Sequence, residues 1–147
     1  MRTSTLIYTS CSTEPVTTES LEELARISSR NNAASGITGL LLYGSGNFLQ
    51  VLEGRRAAID LIYDRICRDT RHVNCELLYQ AVREGRLFPD WNMGALNLDG
   101  AEQSPGNGWD LIRMTLAKAG AENWQQTDPA LVWVRQFIDH NGSKSAA

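Results

Sequence analysis

The chain has 147 residues, enough for one domain with a substantial core and too few for two comfortable ones. A formal charge of -3 and a pI near 5.4 argue against non-specific nucleic-acid binding, which needs a basic face to neutralise phosphates. No apolar run is long enough to span a membrane, and three scattered cysteines read as reduced cytoplasmic thiols, not a disulfide framework or a zinc site.

Met1 to Thr5 precedes only a strand-length apolar segment, so no signal peptide is expected. That segment, Ser4 to Ser10, predicts a strand with Leu6, Tyr8 and Ser10 on one face and Ile7 and Thr9 on the other. Beyond a loop from Cys11 to Val16, Thr17 and Thr18 are N-cap candidates, and Glu19, Glu22 and Glu23 suit the positive end of a helix dipole. The helix runs to about Asn32. Its inward stripe holds Leu21, Leu24, Ala25 and Ser28 and continues to Asn31 and Asn32, so the buried face ends in amides, with Gly36 placed to help stop it.

Two apolar runs, Leu40 to Tyr43 and Phe48 to Leu52, flank the turn Gly44-Ser45-Gly46-Asn47 and predict a buried hairpin. On its second strand Phe48, Gln50 and Leu52 share one face and Leu49 and Val51 the other. Gln50 is the exception among these residues. A buried amide without hydrogen-bond partners costs roughly 1 to 3 kcal/mol, so a polar group is expected against it.

A second helix follows from about Arg56 to Thr70, with Ile59, Ile62, Tyr63 and Ile66 as its stripe, Asp69 as the next step, and Arg65 one turn before Asp69 and able to reach it. A strand from about Asn74 to Arg83 sets Cys75, Leu77, Tyr79 and Ala81 on one face. The segment Gly85 to Asp90 is a turn, and Trp91 to Leu98 a fifth strand with Trp91, Met93 and Ala95 facing together. Residues 1–98 form the core. Residues 99–147 are a loop and a two-helix extension, Trp109 to Ala119 and Pro129 to Asp139, with no separate output domain. The last helix is apolar nearly all round and is expected to cover the sheet face bearing Leu49 and Val51.

The order β-α-β-β-α-β-β predicts an α+β, ferredoxin-like five-stranded mixed sheet, with two helices on one face and the two C-terminal helices on the other. Tyr8 and Gln50 fall on adjacent central strands, and a fifth strand on the far side of the first would bring Trp91 and Met93 to the same place. The result is a slot floored by Tyr8, Gln50 and Met93 and walled by Leu24 and Ile66, with Asn31, Asn32, Arg65, Asp69 and Arg71 at one end. Such a slot suits a flat heteroaromatic ring with carbonyls and imides on its edge. Taken singly, Tyr8, Met93 and Trp91 would be core and Arg65 with Asp69 a surface pair. Convergence on one slot sets them apart. The run Gly44 to Leu49 lacks the third glycine of a dinucleotide fingerprint and leads into a strand, His72 and His140 are too few for a metal cluster, and no hydrolase triad is evident.

From Ser4 to Leu98 the sequence resembles the BLUF domains, the blue-light sensors using FAD, with the trailing helices similar to those of short, stand-alone members. The carrying motifs are Tyr8 in Leu-Ile-Tyr-Thr-Ser, Asn31-Asn32, Gly36-Ile37-Thr38-Gly39, Asn47 to Gly54, Asp69-Thr70-Arg71-His72, and Phe88 to Met93. The resemblance implies non-covalent FAD, with FMN or riboflavin as alternatives, and light-driven electron and proton transfer from Tyr8 through Gln50. The Gln50 amide, rearranged by rotation or tautomerisation, then bonds the flavin C4 carbonyl more strongly and shifts absorption to the red. It further implies that Asn32 holds the O4 and N3 edge, that Arg65, Asp69 and Arg71 anchor the other polar edge, and that Asn31 sits by the ring or the ribityl-phosphate tail. Leu24, Phe48, Ile66 and Met93 would line the ring, and Trp91 and Met93 would carry the change outward in a way that depends on Ser10. The implied function is a photoreceptor without catalytic activity that signals to a protein partner or through a homo-oligomer. The alternative is a small acylphosphatase-like enzyme, since that fold also holds an acyl phosphate with an arginine and an asparagine.

Overall fold

A computed structural model describes residues 2–99, 114, 117 and 128–141. The elements are β1 (Arg2–Ser12), α1 (Thr18–Ala34), β2 (Thr38–Gly44), β3 (Asn47–Gly54), α2 (Arg56–Arg68), β4 (His72–Glu84), β5 (Gly94–Asn97) and α3 (Pro129–Asn141). The sheet order is β4-β1-β3-β2-β5. Its first four members give the ferredoxin-like arrangement, antiparallel throughout, and β5 joins β2 in parallel to make the sheet mixed.

Local chemistry sets the boundaries. Thr17 caps α1 in a reciprocal box with Ser20: the Thr17 hydroxyl accepts from the Ser20 amide and the Ser20 hydroxyl from the Thr17 amide. The β2–β3 hairpin closes in a two-residue turn with Ser45 at φ 50° and Gly46 at φ 82°, the positive dihedrals that match the twist of the flanking strands. Glu53, fully buried, accepts from the amides of Leu87 (2.6 Å) and Phe88 (2.8 Å) and ties the loop before β5 to the sheet. Burial raises its carboxyl above the ordinary value, against those two amides and the nearby Arg83 and Arg86, which pull it down.

Two cores result. One, between the sheet and α1 and α2, holds Leu6, Tyr8, Leu21, Leu41, Phe48, Leu52, Ile59 and Met93. The other, between the sheet and α3, holds Ile7, Leu40, Leu42, Leu49, Val51, Phe88, Leu131, Val134, Phe137 and Ile138. The last helix therefore covers the face bearing Leu49 and Val51, as its apolar circumference predicts. Asp128 caps it through the Ala130 amide (3.0 Å) and pairs with Arg83 on β4 at 2.6 Å. The expected helix over Trp109 to Ala119 lies outside the described residues, Met114 and Ala117 apart.

Three expectations are corrected. The fifth strand does not lie beyond β1, because β4 already fills that edge; β5 docks on the open edge of β2 and is only four residues long. Trp91 and Met93 precede it in irregular backbone, so strand alternation does not apply to them: Met93 enters the core under α1 and α2, while Trp91 packs against the opposite core. The Trp91 ring fills the space over Gly94, where a β-carbon would stand 2.0 Å from it. On β4, register shifts opposite Ile7/Tyr8 and Thr9/Cys11 break the period of two, so Cys75 and Tyr79 pack into different cores.

Candidate functional site

The pairing of β1 with β3 sets Tyr8 directly opposite Gln50, and both side chains turn to the face under α1 and α2. The Tyr8 hydroxyl donates to Gln50 Oε1 at 2.5 Å, with Tyr8 3% and Gln50 5% exposed. The partner that the buried amide requires is thus the phenol on the neighbouring strand. Gln50 Nε2 donates to Met93 Sδ at 3.3 Å, a weak acceptor. Burial, reinforced by Cys75, Cys67, Tyr63 and Asp69, holds the Tyr8 phenol well above its ordinary pKa and so keeps it a neutral donor.

Above this pair a cleft opens between the helices. Tyr8, Gln50, Leu24, Phe48, Ile66, Asp69 and Arg71 line it, together with Ser28, Leu41 and His72. Of the residues assigned to the polar end, Asp69 and Arg71 are there. Their side chains pair at 2.9 and 3.1 Å through Arg71 Nε, and the guanidinium hydrogen bond brings the Asp69 carboxyl down to about 2.

The expected Arg65–Asp69 pair does not form. Helix α2 ends at Arg68, and Asp69, with ψ at 128°, has left the helical geometry that would stack it over Arg65. Arg65 and Asn31 are exposed and lie outside the cleft lining; Asn32 is buried, and its Nδ2 donates to the Asn92 carbonyl at 2.9 Å. Met93 sits beneath Gln50 and not on the cleft surface. Ser10 faces His72: their Oγ and Nδ1 are 2.7 Å apart, while His72 Nε2 lies 2.5 Å from the Ile66 carbonyl. A carbonyl only accepts, so Nε2 carries the proton and, in the neutral ring, Nδ1 takes the Ser10 hydroxyl.

Sequence reasoning left three lining residues unassigned. Ser28 was on the inward stripe, Leu41 is cross-strand from Gln50, and His72 closes the Asp69–His72 motif. His72 gave no periodic signal because it stands at the first residue of a strand.

The family model for BLUF, sensors of blue-light using FAD, matches residues 3–94. The chain belongs to the BLUF family. Members of this family are flavin-binding blue-light sensors that hold FAD or FMN, and an acylphosphatase-like enzyme is not supported. The chain is 35% identical over 102 residues to the photoactivated adenylate cyclase subunit alpha-like protein FB of Euglena gracilis, covering 68% of this chain and 10% of that protein. It is 32% identical over 136 residues to the blue light- and temperature-regulated antirepressor BluF of Escherichia coli K12, covering 91% of this chain and 32% of that one. The BLUF chain thus spans about a tenth of the length of the Euglena relatives it matches and a third of the antirepressor.

Among solved structures, BlrP1 BLUF superposes with a TM-score of 0.79 at 26% identity, covering 94% of this chain and 90% of that chain. Klebsiella pneumoniae BlrP1 with FMN and cyclic diGMP superposes at 0.77 with 27% identity, covering 93% of this chain and 34% of that chain. The residues present fit a flavin ring: apolar walls in Leu24, Phe48 and Ile66, a charged pair at one edge, and a buried carboxamide whose Nε2, among the described residues, donates to a thioether. Among the described residues no helix is long and apolar enough to cross a membrane.

Proposed function

We propose that this chain is a blue-light photoreceptor in which Tyr8 and Gln50 are the photoactive pair, held against a flavin bound in the α1–α2 cleft. The observation that carries the reading is the 2.5 Å bond from the Tyr8 hydroxyl to Gln50 Oε1 beneath that cleft. Bound there, a flavin supplies the blue absorption and, once excited, an electron acceptor. The rest is the work of the protein. A phenol that loses an electron becomes a strong acid, and its proton already lies on the line to Gln50 Oε1. Proton transfer along that bond leaves the amide free to settle, by rotation or tautomerisation, into a different set of hydrogen bonds.

Two features support a switch of this kind. Gln50 has few partners, and one is a thioether, so exchanging it for a better acceptor costs little. Met93, bonded to Gln50 and placed just before β5, would feel the exchange and pass it to the sheet edge. Asn32, Asp69 and Arg71 would hold the polar edges of the ring, with Arg65 and Asn31 at its mouth, and Leu24, Phe48 and Ile66 would pack on its faces. Ser10 would act through its bond to His72, and Trp91 from the opposite core. The signal would pass from β5 and α3 to a partner protein or within a homo-oligomer, in the cytoplasm, with residues 1–98 as the sensing core and 99–147 as its extension.

Purified protein supplied with FAD should be yellow, and a blue flash should shift its absorption reversibly to the red. Protein that stays colourless after flavin supplementation would overturn the assignment.

A further inference from the structure

The mechanism gives Glu53 no part. Three residues after Gln50 on β3, it turns to the opposite face, that of Leu49 and Val51, and is fully buried. A carboxyl group is costly there, where an aliphatic side chain would be favoured, unless hydrogen bonds offset the loss of water. Both oxygens are engaged on one loop: Oε2 accepts from the Leu87 amide at 2.6 Å and Oε1 from the Phe88 amide at 2.8 Å. The same loop, between β4 and β5, ends in Met93, the acceptor of Gln50 Nε2.

This loop crosses from one core to the other. Leu87 and Phe88 lie in the core under α3, and Met93 in the core under α1 and α2. Other bonds fasten it toward β2: Arg86 Nη1 donates to Thr38 Oγ1 at 3.0 Å, the Trp91 carbonyl accepts from the Gly39 amide at 3.0 Å, and Asn92 Nδ2 donates to the Ile37 carbonyl at 3.0 Å. Glu53 fastens it to β3, the strand that carries Gln50. The seat of Met93 is narrow, because its Cε lies over Gly39, where a β-carbon would stand 3.3 Å from it. A small slide of the loop therefore takes Sδ off Gln50 Nε2, 3.3 Å away.

We propose that Glu53 is a positioning residue: by holding the Leu87 and Phe88 amides it sets Met93 Sδ against Gln50 Nε2, and so sets the rate at which the light-adapted arrangement returns to the dark one. This rests on the reading of Tyr8 and Gln50 as the photoactive pair. Glu53 lies on the other face of the sheet from both and acts through the loop. In Glu53→Gln one oxygen becomes an amino group that cannot accept, and one loop amide loses its partner. The loop slackens, Met93 leaves Gln50, and the dark arrangement loses the bond that Nε2 makes in it. The light-adapted arrangement, in which the amide has changed partners, keeps its own bonds, so recovery slows.

The test has two arms, both on the full chain. In the first, isotope-labelled methionine methyl groups are followed by NMR in the dark, the Met93 signal being assigned by its loss in Met93→Ala. Glu53→Gln should move or broaden that signal while the chain stays folded. Glu53→Asp, which keeps both oxygens and withdraws them by one methylene, should do the same and carries the test if the glutamine variant does not fold. A Met93 signal unchanged in a folded variant would mean a merely structural role and would overturn the proposal. The second arm supplies FAD and times dark recovery after a blue flash in a double-mutant cycle. Glu53→Gln should slow recovery roughly threefold or more with Met93 present, the size of an ordinary contact-borne coupling, and by less than about twofold in the Met93→Ala background, the limit within which independent sites add. Wild-type speed, faster recovery, or equal slowing in both backgrounds would refute the route through Met93. The methyl signal needs no photocycle, so absence of any red-shifted state would count against the light-sensing reading and leave the placement of Met93 by Glu53 tested on its own.

Discussion

A phenol bonded to a carboxamide whose amide nitrogen donates to a sulfur is a pair whose parts single substitutions should separate. Gln50→Leu keeps the volume and removes the amide; flavin should still bind, and light-minus-dark spectra should lose the red-shifted state. Tyr8→Phe should abolish the same shift and lengthen flavin fluorescence, read by time-resolved emission, because the proposed electron donor is gone. The pH dependence follows from burial. Desolvation holds the Tyr8 proton in the folded protein to a pH well above the ordinary tyrosine value of 10.0, so the phenol remains a donor below it. The unfolded chain ionises first, so stability contributed by this group is complete below about pH 10 and falls as pH rises beyond it. Tyrosinate absorbance followed against pH should show Tyr8 titrating with unfolding and not before. A normal low-pH phenolate signal in folded protein would contradict the burial argument.

Among the elements, α3 carries a stability role and no direct part in the cleft. Its Leu131, Val134, Phe137 and Ile138 fill the core on the Leu49–Val51 face, and none of them lines the site. Phe137→Ala should cost about 3 to 5 kcal/mol by denaturant unfolding, the range for emptying a large aromatic site, while the flavin spectrum at low denaturant stays unchanged. Elements also show where sequence patterns stop working. The stripe of α1 was legible from Leu21 through Asn32, and the Gly44–Asn47 turn announced its hairpin, because both signals are local. The face of Trp91 was not, because β4 ends at Glu84 and β5 begins only at Gly94, so alternation has no register to count from at Trp91.

For the molecule as a whole, one contact that ties α3 to the sheet is Arg83 with Asp128. Their side chains are 22% and 14% exposed, and Asp128 also caps α3. Removing Asp128 therefore leaves a half-buried cation without its partner and an uncapped helix. Asp128→Ala should lower stability by about 2 to 4 kcal/mol, from the cap and the stranded charge together, measured by urea unfolding. Asp128→Asn, which keeps the cap, should recover part of the loss. Full stability in the alanine variant would show that α3 docks without the Arg83 pair, through its apolar face and the Asn141 bonds to Ser45 and Asn47.

The residues by themselves determined the first four strands and the helices α1, α2 and α3, the faces of β1 and β3, the ferredoxin-like order, the amide at Gln50 that needed a partner, and the family resemblance of the ordered motifs. Each is a property of neighbours in the chain, set by dihedral preference and by the periods of helix and strand. Only the tertiary structure decided that β5 lies beside β2, that Asp69 turns to Arg71 and away from Arg65, that Trp91 and Met93 face opposite cores, and that His72 joins Ser10 to Ile66. Those outcomes depend on which sheet edge is vacant and where a helix actually ends. Both are settled by packing between segments distant in sequence, where no local period reaches.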